Sequence, residues 1–244
     1  MHRHEASEKN HGPGMCRRLF LKTVALVAFI ASAPRAAFAF FIESLEVRTV
    51  EKETFRFDPA TGTIKWSGRR SAEPYRLVVD GMVQKPRNYS YADLRSFPQV
   101  NQISDFHCVE GWSVKGIKWG GFRFEEITKR VKPLPDARFV IFHALGKTTS
   151  QPGGLDHYVE SLPVKELLDP KKQCLLVLFM NGKPLTHDHG APLRVVSPFD
   201  MGYKGAKYVI RIEFSKTSQP GWWTLANPVY PADAPVPEQR LREG

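Results

Sequence analysis

After residue 54 the apolar residues come in short runs separated by turn residues, and this rhythm most constrains the fold. Phe55, Phe57, Ile64 and Trp66 alternate on either side of Asp58-Pro59-Ala60-Thr61-Gly62, which predicts a β-hairpin with a turn of several residues. From Pro74, "YRLVVDGMVQKP" reads as a strand, an Asp-Gly turn and a second strand. "CLLVLFM", opening at Cys174, is a continuous apolar run expected for a buried strand entering an Asn181-Gly182 turn. "ARFVIFHA", "APLRVVSP" and "KYVIRIEF" read as further strands. Helical signals are few and short. "SYADLRSFP" has Ser90 as a cap, "RFEEITKRV" is stopped by Pro133, and "PVKELLDP" is bracketed by prolines. Short strands with a few short helices indicate an α+β domain of mixed sheets, not repeated βαβ units. Beyond Phe214 the tail is Pro-rich; Trp222, Trp223 and Tyr230 are expected to pin part of it, with the last ten residues loose.

The N-terminus has a different character. Arg17-Arg18-Leu19-Phe20-Leu21-Lys22 precede the apolar run "TVALVAFIASAP", and small residues stand at Ala37 and Ala39. A basic patch, a short apolar run and small residues make an export signal, with cleavage expected after Ala39. The run is too short to span roughly 30 Å of hydrocarbon, and Pro34 and Arg35 close it. The paired arginines resemble a twin-arginine signal, a route that carries folded proteins and so suits a chain loaded with a cofactor beforehand. Residues 1–39 hold six Lys/Arg and two acids, so the mature chain of about 205 residues would keep about +6 of the formal +10. That excess suits an anionic ligand or an acidic partner. Nucleic acid is disfavoured, because the charges are scattered and the signal removes the chain from DNA.

With the signal gone, Cys108 and Cys174 remain. Cys174 opens the buried run and reads as an inert core thiol. Cys108 lies in "SDFHCVEGWSVKGIKWGG", which reads as a loop crowded with glycine and charge, so the two are not expected to pair. Ser113 fails as a nucleophile elbow, since Lys115 stands where the second glycine is needed. "THDHG" could offer His187, Asp188 and His189 to zinc, although a polar loop is the usual reading of such a string. No C-x-x-C-H, C-x-x-C, G-x-G-x-x-G or P-loop is present, so haem, thioredoxin-like and nucleotide chemistry lack support. A single thiolate can bind a thiophilic metal if an organic cofactor supplies the other ligands. A phosphate on that cofactor would need donors. His189, Arg194, Lys204 and Lys207 around Gly202 and Gly205 offer them, and two edge strands with solvated basic residues is an equally good reading.

Three segments bear on that choice: "HCVEGWSVKGIKWGGFRF", "GLDHYVESLPVKELLDP" and "NGKPLTHDHGAPLRVVSPFDMGYKGAKYVIRIEF". Together they resemble the sulfite oxidase-like molybdopterin oxidoreductases, most closely the catalytic subunits of bacterial periplasmic methionine sulfoxide reductases. The resemblance covers residues 74–214 in the family's order and implies the family's mixed α+β cofactor domain there. Residues 40–73 would then be an N-terminal extension with the hairpin, and 215–244 a Pro-rich tail.

The resemblance further implies a Mo-molybdopterin cofactor with Cys108 as thiolate ligand to the metal. Arg194 would contact the pterin phosphate, His189 would bind the cofactor, Gly205-Ala206-Lys207 would form the phosphate-binding turn, and His143 would stand at a cofactor-contacting position. Glu110 matches a glutamate that could tune the metal or relay protons. The implied chemistry is oxygen-atom transfer, X + water ⇌ XO + two electrons + two protons, on a small anionic or S-oxide substrate in the periplasm. Electrons would pass to or from a separate protein, a cytochrome or a membrane haem subunit. The family's Asn-containing cofactor segment is not matched upstream of the cysteine, where "EKETFRFDPATGTIKW" stands. The chain also ends too soon after the last motif for a dimerising β-sandwich, so a monomer is expected. The alternatives from other classes are a cofactor-free exported binding protein and a thiol redox sensor using Cys108.

Overall fold

The computed structural model of the chain describes residues 54–227 and 229–242; the expected export signal, residues 1–39, lies outside them. Strands β1 (Phe55–Asp58) and β2 (Thr63–Trp66) form the expected hairpin, extended to a small sheet by β3 (Glu73–Pro74). Its turn is built by Asp58, whose carboxylate accepts from the Ala60 N–H and the Thr61 hydroxyl. Gly62 takes the positive φ of 66° that lets the chain turn back.

A five-stranded sheet carries most of the core. Its order is β5 (Arg87–Ser90), β4 (Arg76–Gly81), β13 (Val209–Ser215), β8 (Phe139–Lys147) and β9 (His157–Pro163). β13 is central, parallel to β4 and antiparallel to β8. Alternation sends Leu77 and Val79, Val140 and Phe142, and Ile212 and Phe214 to the buried face. Tyr75, just before β4, donates its hydroxyl to the Val209 carbonyl at 2.6 Å and ties the start of β4 to the start of β13.

The second sheet runs β11 (Lys183–Pro184), β10 (Leu175–Met180), β7 (Ser113–Phe122) and β6 (Val100–His107), with β12 (Arg194–Val196) also paired to β10. Asn181 and Gly182 between β10 and β11 have φ of 53° and 80°, the left-handed pair that a two-residue hairpin of type I′ requires. Gly121 is where β7 and β10 come closest: a Cβ there would fall 2.0 Å from the Leu176 carbonyl oxygen.

The helices are short. α1 (Tyr91–Ser96) begins at Ser90 with a capping box, Ser90 and Asp93 each accepting from the other's backbone N–H. α2 (Glu125–Val131) ends on Lys132 in the left-handed conformation, immediately before Pro133. α3 (Val164–Leu168), α4 (Trp222–Ala226) and α5 (Glu238–Arg242) complete the set. Both large sheets, the hairpin, α1 and α2 bury their apolar faces in one contiguous cluster that includes Phe55, Tyr75, Phe122, Phe124, Phe142, Tyr208 and Phe214. Each such side chain contributes about 1.5–3 kcal/mol by leaving water.

Three expectations need correction. Asp80-Gly81 is not a hairpin turn: β4 runs through it, and its partner begins only at Arg87, because Met82 and Val83 turn to meet Phe214 and Pro133 instead. The cysteine segment is mostly strand, β6 and β7 enclosing a short loop. The last residues are anchored among those described, with Ala234 and Val236 buried and the Val236 N–H bonded to the Phe199 carbonyl.

Candidate active site

Cys108 opens the loop Cys108–Trp112, which joins β6 to β7 at the paired ends His107 and Ser113. The Cys108 N–H donates to the Trp112 carbonyl at 2.9 Å, and Gly111, at φ 96°, donates its N–H back to the Cys108 carbonyl at 3.2 Å. The loop is therefore a closed turn that presents one thiol. Cys108 is half-buried and unpaired. Burial pushes its pKa up; the Glu110 backbone N–H opposes this, the Glu110 carboxylate adds to it, and Arg240 and the Val109 N–H oppose it. Glu110 lies exposed on the same loop, its carboxylate accepting from the Trp112 indole N–H at 3.4 Å. Cys174 is buried just ahead of β10, 3.4 Å from the Ser197 hydroxyl, and burial raises its pKa to about 11. The two cysteines are free, as expected, and only Cys108 is placed for chemistry.

A second wall comes from the segment between β11 and β13. His189 is buried, its Nδ1 2.7 Å from the Thr186 hydroxyl, and its carbonyl accepts from Arg194 Nη1 at 3.2 Å. Gly190 stands at φ 100°, and a Cβ there would fall 2.9 Å from the Lys207 side chain and 3.2 Å from Arg194 Cβ. Ala206 is fully buried and accepts from the Val195 N–H at 2.8 Å, while a Cβ on Gly205 would meet the Val195 carbonyl oxygen at 2.7 Å. Lys207 sends its ammonium to the Asp188 carbonyl at 3.3 Å and over the Tyr208 ring. Thus His189, Arg194, Gly205, Ala206 and Lys207 form one cradle.

Phe106, two residues before Cys108, joins the two walls. Its ring lies 5.7 Å from the Arg194 guanidinium and so close to Gly202 that a Cβ there would fall 2.1 Å from it. Trp119 on β7 packs against the same guanidinium at 5.1 Å. Neither aromatic was legible as a site residue, since an aromatic in a strand usually means core.

The cradle shows what it is built to hold. Arg194 is buried, burial draws its pKa down to about 10, and among the described residues no carboxylate pairs with it. Its Nε has no hydrogen-bond partner there, and the same is true of the neighbouring Trp119 Nε1 and of His187 Nδ1. A buried guanidinium without an acid is costly unless an anion is bound to it. These donors fit a phosphate-bearing cofactor.

Two expected ligands sit elsewhere. Lys204 is buried against Glu160 at 2.5 Å, with the Ser161 and Ala232 carbonyls as its other acceptors, so its charge is already committed. His143 lies on β8 with Nδ1 3.0 Å from His157 and Nε2 3.0 Å from Glu213, and no described contact joins it to the cradle. Arg240 was missed altogether: it lies in the tail, yet it donates to the Cys108 carbonyl at 2.8 Å.

Residues 53–223 match the family model of the oxidoreductase molybdopterin binding domain. The chain belongs to this family. Members related to it include the protein-methionine-sulfoxide reductase catalytic subunit MsrP of Ralstonia nicotianae, 34% identical over 235 residues that cover 88% of this chain and 67% of that protein. Among solved structures, the sulfane dehydrogenase SoxCD from Paracoccus pantotrophus shares the fold with a TM-score of 0.51 at 21% identity. That match covers 59% of this chain and 39% of the solved one, so the chain spans well under half the length of that relative. The chain is accordingly a molybdopterin-dependent oxidoreductase of the α+β, sulfite oxidase-like fold, and Mo-molybdopterin is its cofactor.

Proposed function

We propose that this oxidoreductase catalyses oxygen-atom transfer at sulfur in the periplasm, reducing a sulfoxide with electrons from a separate redox protein. The balance is sulfoxide + two electrons + two protons → sulfide + water. The paired arginines and short apolar run at residues 17–33 support export, and the MsrP relative supports the reducing direction and the S-oxide substrate. The observation that carries the reading is Arg194, a buried guanidinium without an acid partner among the described residues, joined through Phe106 to the loop of a half-buried free cysteine.

The bound molybdenum supplies two-electron oxygen-atom exchange. The chain does the rest. Cys108 holds the metal through its thiolate, and the closed loop fixes where that sulfur points. Arg194 and the Gly205-Ala206-Lys207 turn would hold the pterin phosphate and His189 the cofactor, the close approach at Gly205 leaving no room for a side chain. Glu110, exposed on the same loop as Cys108, would pass protons between solvent and the substrate. Basic residues beyond the cradle favour a polar or anionic substrate.

The test is metal analysis of exported protein from molybdenum-replete cells, with turnover of sulfoxides, N-oxides and sulfite followed using an artificial electron carrier. Wild type should carry molybdenum and turn over a sulfoxide, and Cys108→Ser should lose the turnover. Full activity in Cys108→Ser overturns the site; turnover of sulfite alone overturns the direction.

A further inference from the structure

We propose that Arg240 is a positioning residue for the metal-binding loop, and that α5 is a clasp holding the Cys108 main chain in place. The proposal rests on the reading of Cys108 as the metal's thiolate ligand. One guanidinium reaches both ends of the loop: Nη1 donates to the Cys108 carbonyl at 2.8 Å and Nη2 to the Trp112 carbonyl at 2.6 Å. Nη2 also donates to the Ser113 hydroxyl at 2.8 Å, and that oxygen lies 2.8 Å from His107 Nδ1. The fork thus spans the first loop residue, the last loop residue and the first strand residue beyond. A planar guanidinium can satisfy several acceptors at fixed angles; an ammonium of similar reach cannot hold them in that geometry.

The clasp has a fixed base. Ala234 and Val236 are buried, the Met201 N–H donates to the Ala234 carbonyl at 2.9 Å, and the Val236 N–H donates to the Phe199 carbonyl at 2.8 Å. Arg240 Nη1 lies 3.7 Å from Met201 Sδ, next to the Gly202 that receives the Phe106 ring. The tail is therefore stitched to the segment that also sets the cradle, and its arginine reaches across to the cysteine loop. Among the described residues no carboxylate pairs with Arg240, and its donors go to the loop. Arg240 and its base at Ala234 and Val236 lie beyond residue 223, outside the part of the chain that matches the family model.

The experiment compares wild type with Arg240→Gln, Arg240→Lys and Arg240→Ala as purified full-length holoenzymes. Amide hydrogen exchange is read at Cys108 and Gly111, and the electron paramagnetic resonance spectrum of the half-reduced metal is recorded. Losing the fork should speed exchange of the loop amides at least about ten-fold, with amides of the central sheet unchanged. The resonance should shift in Arg240→Gln and Arg240→Ala, and Arg240→Lys should restore it only in part. Unaltered loop exchange and an unaltered spectrum in Arg240→Gln would overturn the clasp. Should the alanine variant fail to fold, the other two still decide. Cys108→Ser separates the premises: if it keeps full turnover and the wild-type resonance the ligand reading falls, whereas loop exchange in the Arg240 variants still reports on the clasp.

Discussion

At the scale of single residues, Arg194 sets a buried cation against two aromatic rings. A cation packed against Phe106 and Trp119 away from water is costly unless an anion meets it, and we propose that the cofactor's phosphate does so. Arg194→Ala should therefore fold yet lose the cofactor, measured as molybdenum and pterin content. Arg194→Lys should fare little better, because a point charge cannot replace the planar group stacked on two rings. The histidines make a separate statement. Burial holds His187 and His143 below the ordinary histidine value of 6.5, with Glu213 opposing the effect at His143. The unfolded chain then binds protons more readily, so the stability these residues contribute is present above 6.5 and lost as pH falls through their lowered folded values. The urea midpoint should fall on acidification from neutrality, and His187→Gln should flatten part of that slope.

At the scale of elements, what could be read beforehand depended on whether local chemistry or distant pairing sets the structure. The Asp58–Gly62 turn, the Ser90 cap and the Asn181-Gly182 turn carry their own hydrogen bonds or backbone preference, and they stand where expected. β6 and β7 were not seen as strands. "VNQISDFH" and "SVKGIKWGGF" are rich in polar residues and glycine, and only pairing with each other and with β10 makes them regular. β9 was hidden for a similar reason: Glu160 within it is fully buried, held by Lys204 from a distant segment. His189, Arg194 and Lys207 could be grouped beforehand because they lie within one stretch of chain, although residue types left solvated edge strands an equal reading, whereas Phe106, Trp119 and Arg240 join them only in three dimensions. Gly121 shows how tightly the pairing constrains the side chain. Gly121→Ala would drive a methyl into the Leu176 carbonyl and should cost about 3 kcal/mol, read as a lowered melting temperature.

At the scale of the whole molecule, the N-terminal hairpin belongs to the site as much as to the core. Phe55 is buried and meets both Tyr208 and His187 edge-on, with ring centroids 5.3 and 4.9 Å apart. Phe55→Ala should cost about 3–5 kcal/mol of stability. Because its neighbours border the cradle, it should also weaken cofactor retention, so the gap in melting temperature between loaded and cofactor-free protein should narrow. The middle strand of the larger sheet has its own consequence. Arg211 of β13 sits in register with Val78 of β4, although they are far apart in the chain. A ribosome must therefore deliver nearly the whole polypeptide before that sheet has its centre. Until then β4 and β8 share no neighbour, and a nascent chain offers the pterin no finished berth.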